Sequence, residues 1–310
     1  MIVKKVVLSI DQAIANSQTD ESLALWLNKW RWCLGLRVLE ITLICETTKR
    51  VVLTSRIPEF SFFGLSFRGA LKGLFLPEIE IVVANQDLTP SLIDELLDEV
   101  NSDCFWYVLP LPYSVSAQLA RLHFAPVGVQ IQRRDSSLIN LPGADISQDA
   151  LVDVMIDQLP SKTRNMVRKG WNAGLSVKIN IEKLIFDKHF VSAQSSLYKR
   201  TGRPVMLAQY YRLLAAKSAM TFTVSIFDSD RWIAGGIFSS LNHVWYYLSG
   251  ASTERGYALA APTQVIFYAL IEAANRKGSS FDMGGFGLSS IDRFKRSFGG
   301  ERVTRFVLRN

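Results

Sequence analysis

Phe281-Asp282-Met283-Gly284-Gly285-Phe286-Gly287-Leu288, followed by Phe294-Lys295-Arg296-Ser297-Phe298-Gly299-Gly300, decides how this chain is read. An apolar strand, Ser280 to Met283, ends in a glycine-rich turn. A short helix near Ser289 to Phe298 carries one lysine between aromatics, and a second glycine pair leads into a closing strand, Glu301 to Leu308. This order sets a cation at the end of a sheet, where it can meet an oxyanion or a phosphate.

Upstream lies a helix with clear ends. Pro262 suits its first position, Gly278 the position past its end, and Ile266, Ala269, Leu270 and Ala273 its apolar stripe. Three apolar runs precede it at hairpin spacing, Thr221 to Phe227, Trp232 to Ser239 and Val244 to Ser249, with turns at Asp228-Ser229-Asp230 and Leu241-Asn242-His243. Two helices are expected before this meander. One is Ser161 to Ala173, entered through Pro160 with Ser161 as N-cap, and the other is Val205 to Ala219. Helices around a meander and a later strand–helix–strand make a mixed α/β layer pattern.

The first half repeats the end of this order: a helix from Pro90 through Ile93, Leu96, Leu97 and Val100, a strand Phe105 to Leu109, a helix Ser114 to His123, and Pro126-Val127-Gly128 leading into the strand Val129 to Gln132. Pro90 and Pro262 lie 172 residues apart, as do Gly128 and Gly300. A constant offset between matched landmarks is what tandem duplication leaves behind. The expected domains are 1–145 and 146–310, with a polar linker near Pro142 to Asp149. Met1 to Ile10 reads as a strand, and Trp26, Trp30 and Trp32 as helix-face anchors of the first domain.

The bulk numbers limit the function classes. With 310 residues, 48% of them hydrophobic, two cores of ordinary size are feasible. The net charge of +7 favours anionic partners. Three scattered cysteines, Cys33, Cys45 and Cys104, form neither a metal motif nor a disulfide framework, so no metal is expected and the reading is cytoplasmic. The short apolar start does not suit a secretory signal, and no stretch reaches the length of a membrane span; peripheral membrane contact stays open.

The segment Ser161-Lys162-Thr163-Arg164-Asn165-Met166-Val167-Arg168-Lys169 resembles a signature of the Fem family, the non-ribosomal peptidyltransferases of cell-wall bridge synthesis. The resemblance continues through Tyr246-Tyr247-Leu248-Ser249-Gly250-Ala251, Ala261-Pro262, and the two glycine-rich pieces quoted first; it covers about half the chain, Gln158 to Val303. It implies two tandem GNAT-like domains, each a central mixed, mostly antiparallel sheet flanked by helices, with the second carrying most of the active cleft. It also implies transfer of an aminoacyl or acyl group to an amine of a cell-envelope precursor, UDP-linked or lipid-linked. The implied donor is aminoacyl-tRNA or acyl-CoA, with no tightly bound cofactor. One departure bears on the donor: where acetyl-CoA users carry Arg/Gln-x-x-Gly-x-Gly/Ala, this chain reads Ser252-Thr253-Glu254-Arg255-Gly256-Tyr257-Ala258-Leu259-Ala260. The alternatives are an acyl-CoA-dependent N-acetyltransferase on an amino sugar or exopolysaccharide intermediate, and a non-catalytic nucleotide-sugar or RNA binder.

Candidate residues follow. Lys295 matches the lysine that the resemblance implicates in transition-state stabilisation; flanked by Phe294 and Phe298 it would be partly desolvated, and the plainer reading is a snorkelling surface lysine. Asp282 orients Lys295, accepts a proton, or bonds the amides of Gly284 and Gly285. Glu254 is the other candidate base, or a solvated loop carboxylate. Lys162, Arg164, Asn165 and Arg168 at a helix start, and Arg203 before Pro204, suit an anionic substrate or a solvated basic face. Tyr247 and Phe294 complete the substrate-binding set; Tyr246 and Tyr247 alternate faces, and which of them meets the cleft stays open. His123, His189 and His243 are read as structural.

Overall fold

The computed structural model describes residues 1–9, 11–13, 36–62, 65–69, 80–83, 89–102, 104, 106–124, 129–143, 146–180, 183–200, 220–241, 243–285 and 289–309. The expected helix Val205 to Ala219, Arg203, Trp26, Trp30, Trp32, Pro126-Val127-Gly128 and Phe286-Gly287-Leu288 lie outside them. The chain divides into two compact units, Met1–Asp135 with Val303–Asn310, and Ser136–Arg302.

Unit 1 contains β1 (Ile2–Leu8), β2 (Leu36–Ile44), β3 (Val51–Phe62), β4 (Leu65–Gly69), β5 (Glu80–Val83), helix α1 (Pro90–Asn101), β6 (Trp106–Pro110), α2 (Tyr113–Arg121) and the start of β7 (Gln130–Asn140). β1, β2, β3 and β4 pair antiparallel in turn, and the long β3 also carries β5. β4 runs parallel to β6, and β6 pairs antiparallel with Val307–Arg309 of the last strand, β13 (Glu301–Arg309). α1 buries Leu92, Ile93, Leu96, Leu97 and Val100, the stripe expected of one helix face.

Unit 2 begins with Ser136–Asn140 of β7, then α3 (Gln148–Gln158), α4 (Ser161–Asn172), β8 (Ser176–Ile179), α5 (Lys183–Arg200), β9 (Thr221–Asp228), β10 (Arg231–Leu241), β11 (Val244–Ser252), α6 (Glu254–Ala258), α7 (Ala261–Asn275), β12 (Ser280–Gly285) and α8 (Ser289–Arg296). Its strand order is β7-β12-β11-β10-β9-β8. Among the described residues of this unit only β11 and β12 run parallel. Each unit is thus a mostly antiparallel sheet with one parallel pair joined through a helix. Thr221 to Phe227 are buried on both faces of β9, as helices on both sides of a sheet require.

The expected meander is observed, and His243 sits at φ 60°, as a turn residue does. Two helix ends differ from expectation. Pro160, not Ser161, occupies the N-cap of α4, and no side chain caps it. α7 ends at Asn275, and Lys277 takes the left-handed turn at φ 59°. Gly278 instead lies under the Trp245 ring, where an added Cβ would come 2.4 Å from the indole Cδ1. The end of the stretch expected as linker belongs to α3, which is capped by Ser147 and anchored by Leu151 and Met155.

Candidate active site

β11 and β12 pair over three positions only, Val244 with Ser280, Trp245 with Phe281 and Tyr246 with Asp282. β11 continues to Ser252 and β12 to Gly285. Two parallel strands that stop pairing leave a cleft at their carboxyl ends, the usual place for a ligand in an α/β sheet.

Asp282 stands where the strands part and is 2% exposed. Its Oδ1 accepts from the Gly284 amide at 2.7 Å and from the Ser136 hydroxyl. The turn it holds needs glycine, because Gly284 has φ 78°. Lys295, on α8, is 8% exposed, so it is buried rather than snorkelling. Its Nζ lies 3.2 Å from the point a Gly284 Cβ would occupy, and the Tyr247 carbonyl oxygen lies 3.4 Å from that same point. The ammonium therefore packs closely against the bare Gly284 backbone. Phe294 meets Phe298 edge-on at 5.3 Å, and Phe298 is buried.

A cavity of about 590 Å³ lies in this unit, walled by Met166, Leu197, Tyr247, Pro262, Val265 and Phe294 among others. Tyr247 is the aromatic that meets it, while Tyr246 is 3% exposed. Tyr247 stacks on Phe238 at 5.5 Å. Burial pushes its phenol well above the usual range, with smaller contributions from Tyr257 and Tyr198. The hydroxyl lies over Gly250, where an added Cβ would stand 1.8 Å from it. Gly250→Ala is therefore expected to displace the Tyr247 ring, narrow the cavity and cost about 1–3 kcal/mol by overpacking. Urea unfolding of the variant checks this, and an unchanged midpoint would show that Tyr247 moves aside freely.

Glu254 lines a neighbouring cavity of about 730 Å³ with Lys188, His189, Arg231 and Trp232. The two cavities share Leu197, Arg200, Ser252 and Tyr257. Glu254 is exposed at the start of α6, whose N-cap, Thr253, accepts from the Gly256 amide at 3.1 Å. His189 stacks on Trp232 at 6.0 Å.

The basic run divides. Lys162, Asn165 and Arg168 are exposed. Arg164 turns back on the end of α3, donating to the carbonyls of Asp157 at 3.3 Å and Leu159 at 3.2 Å, with the Asp157 carboxylate 3.8 Å away. A guanidinium closing the orphan carbonyls of a helix end is a capping arrangement. Lys169 donates to the Ala258 carbonyl at 2.8 Å. From α4 it is Met166 that reaches the cavity of about 590 Å³, a residue that sequence reasoning quoted only as part of a signature. Arg200, Tyr257 and Ile291 also line it and were not anticipated, since nothing in their local sequence sets them apart.

Several amides in and just after the stretch that departs from the acetyl-CoA pattern are engaged. Tyr257 donates to Thr253, Leu259 to Arg255, Ala260 to Tyr257, and Thr263 and Gln264 to Ala260, while Pro262 has no amide hydrogen. Arg255 pairs with Asp228 at 2.8 Å. Among the described residues no group of three or more His, Cys, Asp or Glu is placed to hold a metal ion.

No protein-family model matches the chain, and no curated protein matches it. Solved structures do. FemX is 12% identical with a TM-score of 0.63, covering 98% of this chain and 96% of its own. A conserved protein of unknown function from Bacteroides thetaiotaomicron is 10% identical with a TM-score of 0.57, covering 99% of each chain. The C-terminal domain of a putative lysylphosphatidylglycerol synthetase from Agrobacterium fabrum is 11% identical with a TM-score of 0.52, covering 97% of this chain and 92% of its own. The chain therefore shares the fold of FemX, the Fem-like fold that its sequence resemblance implied, and divides into two compact units.

Proposed function

We propose that this chain moves an aminoacyl or acyl group onto an amino group of a cell-envelope precursor. The observation that carries the reading is the buried Lys295 ammonium, delivered to the point where β11 and β12 part. The amine nitrogen attacks the acyl carbonyl, and the carbonyl oxygen becomes an oxyanion beside that ammonium. Collapse expels the donor's hydroxyl or thiol, and the amine's proton leaves. Asp282, engaged by Gly284 and Ser136, acts as a positioning residue that shapes the turn receiving Lys295. Glu254, in the adjoining cavity, is the carboxylate open to a proton. Tyr247 and Phe294 wall the acyl group. The exposed Lys162, Asn165 and Arg168 bind a UDP-linked or lipid-linked substrate in this reading, Arg203 being assigned to it from sequence alone, while Arg164 is engaged by the end of α3.

In this reading the cleft belongs to the second domain, whose residues wall the cavity. The likeness in fold to FemX and to the putative lysylphosphatidylglycerol synthetase domain supports transfer in envelope synthesis. The reading is of a cytoplasmic protein with peripheral membrane contact. No described helix is long and apolar enough to cross a membrane.

The donor is aminoacyl-tRNA in this reading. Phosphates of acyl-CoA need unspent amides at a helix start, and the amides of Gly256, Tyr257, Thr263 and Gln264 already donate internally. The second reading, an acyl-CoA-dependent N-acetyltransferase on an amino sugar, is favoured by the cationic cavity of Lys188, Arg200 and Arg231, which suits CoA phosphates without a backbone cradle. Thermal-shift titration with acetyl-CoA, CoA, uncharged tRNA and UDP-muramyl pentapeptide separates them. A salt-resistant shift with the muramyl peptide is expected. A shift with CoA and its ester alone would move the assignment to the acetyltransferase, and binding of nucleotide sugar or RNA without any turnover would make the chain a non-catalytic binder.

A further inference from the structure

The cavity of about 590 Å³ in unit 2 is joined to the Lys295 ammonium through two of its walls. Tyr247 lines the cavity, and its carbonyl oxygen and the Lys295 Nζ lie 3.4 and 3.2 Å from one point, the place of a Gly284 Cβ. Phe294 lines the cavity too and is the residue before Lys295 on α8. A carbonyl held at the ammonium therefore has its substituent within reach of the cavity.

The walls differ from the core around them. Met166 of α4, Leu197 of α5, Tyr247 of β11, and Ile291 and Phe294 of α8 are each half-buried, although all five carry large apolar side chains. Core residues of the same unit, such as Phe238, Phe267 and Phe281, are fully buried. Four separate elements thus present apolar surface to one space. Water against that surface is unfavourable until an apolar group displaces it. A concave space of this size and lining suits the hydrocarbon part of a ligand.

Charge and size narrow the occupant. Among the described lining residues there is no aspartate or glutamate, and the one charged side chain is Arg200, which also lines the neighbouring cavity. A lysyl side chain would enter a space whose nearby charges, Arg200 and Lys295, are both positive, with no carboxylate to pair with. Arg200 itself is exposed, so a carboxylate paired with it would leave the apolar walls uncovered. A single methyl group, at roughly 30 Å³ about the volume of one water, would leave nearly all of the cavity unfilled.

We infer that this cavity selects the acyl group by its side chain, taking a bulky, uncharged, apolar aminoacyl residue of the leucyl or phenylalanyl kind and rejecting glycyl, alanyl and lysyl groups. Leu197 and the buried Ala251, both on the wall, are specificity-determining residues. The inference rests on the reading of aminoacyl transfer at Lys295.

The test is calorimetric titration of the full chain with 3′-aminoacylamido-3′-deoxyadenosines, amide-linked analogues of a charged tRNA end that do not release their acyl group. They carry leucyl, phenylalanyl, alanyl, glycyl or lysyl residues. Each added methylene should tighten binding by about fourfold, so the leucyl and phenylalanyl analogues should bind at least about tenfold more tightly than the glycyl and alanyl ones. The lysyl analogue should bind no more tightly than the alanyl one. Ala251→Leu fills the cavity from its wall and should weaken the leucyl and phenylalanyl analogues by about tenfold, with the glycyl one within about twofold. Leu197→Glu, at a half-buried helix position, brings in a carboxylate and should lower leucyl and raise lysyl affinity; it carries the test if Ala251→Leu does not fold. No binding of any analogue, equal affinity for all five, a glycyl or lysyl preference, or a leucyl preference unchanged in both variants would overturn the inference. A leucyl preference in binding without transfer from leucyl-tRNA would count against the transfer reading and leave the cavity's selectivity standing, whereas transfer with no side-chain preference would do the reverse.

Discussion

Lys295→Met is expected to lower kcat by about 10²–10³-fold, the loss seen when one preorganised oxyanion partner is removed from a dry site. Methionine keeps the length and apolar stem of the side chain and removes only the charge. Substrate affinity should therefore change by no more than a few-fold, since the missing interaction is strongest with the oxyanion. Arginine should not rescue the variant. The Lys295 ammonium already packs close to Gly284, with Nζ 3.2 Å from where a Cβ would stand, and a planar guanidinium is larger and differently shaped. A variant with wild-type kcat would return Lys295 to a structural role.

Arg68→Met is expected to destabilise unit 1 by about 3–5 kcal/mol. Arg68 Nε meets Glu59 Oε2 at 2.8 Å, and both side chains are 3% exposed. The same guanidinium donates to the carbonyls of Val100 and Glu99, closing the end of α1. Removal leaves Glu59 buried with Arg37, 3.0 Å away and 44% exposed. The penalty is the desolvated carboxylate more than the lost attraction. The double variant Glu59→Leu/Arg68→Met should accordingly recover much of the loss. Urea unfolding followed on the unit 1 transition reads both effects. A single variant within 1 kcal/mol of wild type would mean that water reaches Glu59.

The two units differ in how much of them could be read from sequence. The β9–β11 meander and α7 carry local signals: turns at Asp228-Ser229-Asp230 and near His243, and a proline in the first turn at Pro262. The same holds for β12, where Asp282 and Gly284 mark the turn that the structure closes with a 2.7 Å bond. α3 was passed over because its start, Ser147-Gln148-Asp149, reads as polar turn, although Leu151 and Met155 behind it are buried. α5 mixes polar and apolar residues around its circumference, so Lys183–Arg200 shows no stripe.

Non-local pairing hid the rest. That Val303–Asn310 joins the first unit follows from β13 meeting β6, a pairing no local pattern encodes. Arg164 shows the same limit on a smaller scale. Its charge was legible, but its direction is set by the open carbonyls of Asp157 and Leu159 behind it.

The most direct measurement of acyl transfer at this cleft is the mass of an amine-bearing precursor, UDP-muramyl pentapeptide, after incubation with the full chain and charged tRNA, with acyl-CoA in a parallel reaction. The expected result is a mass increase of one aminoacyl residue on the precursor amine, dependent on the protein and lost with Lys295→Met. An unchanged precursor with either donor, from protein that binds both substrates, would contradict it.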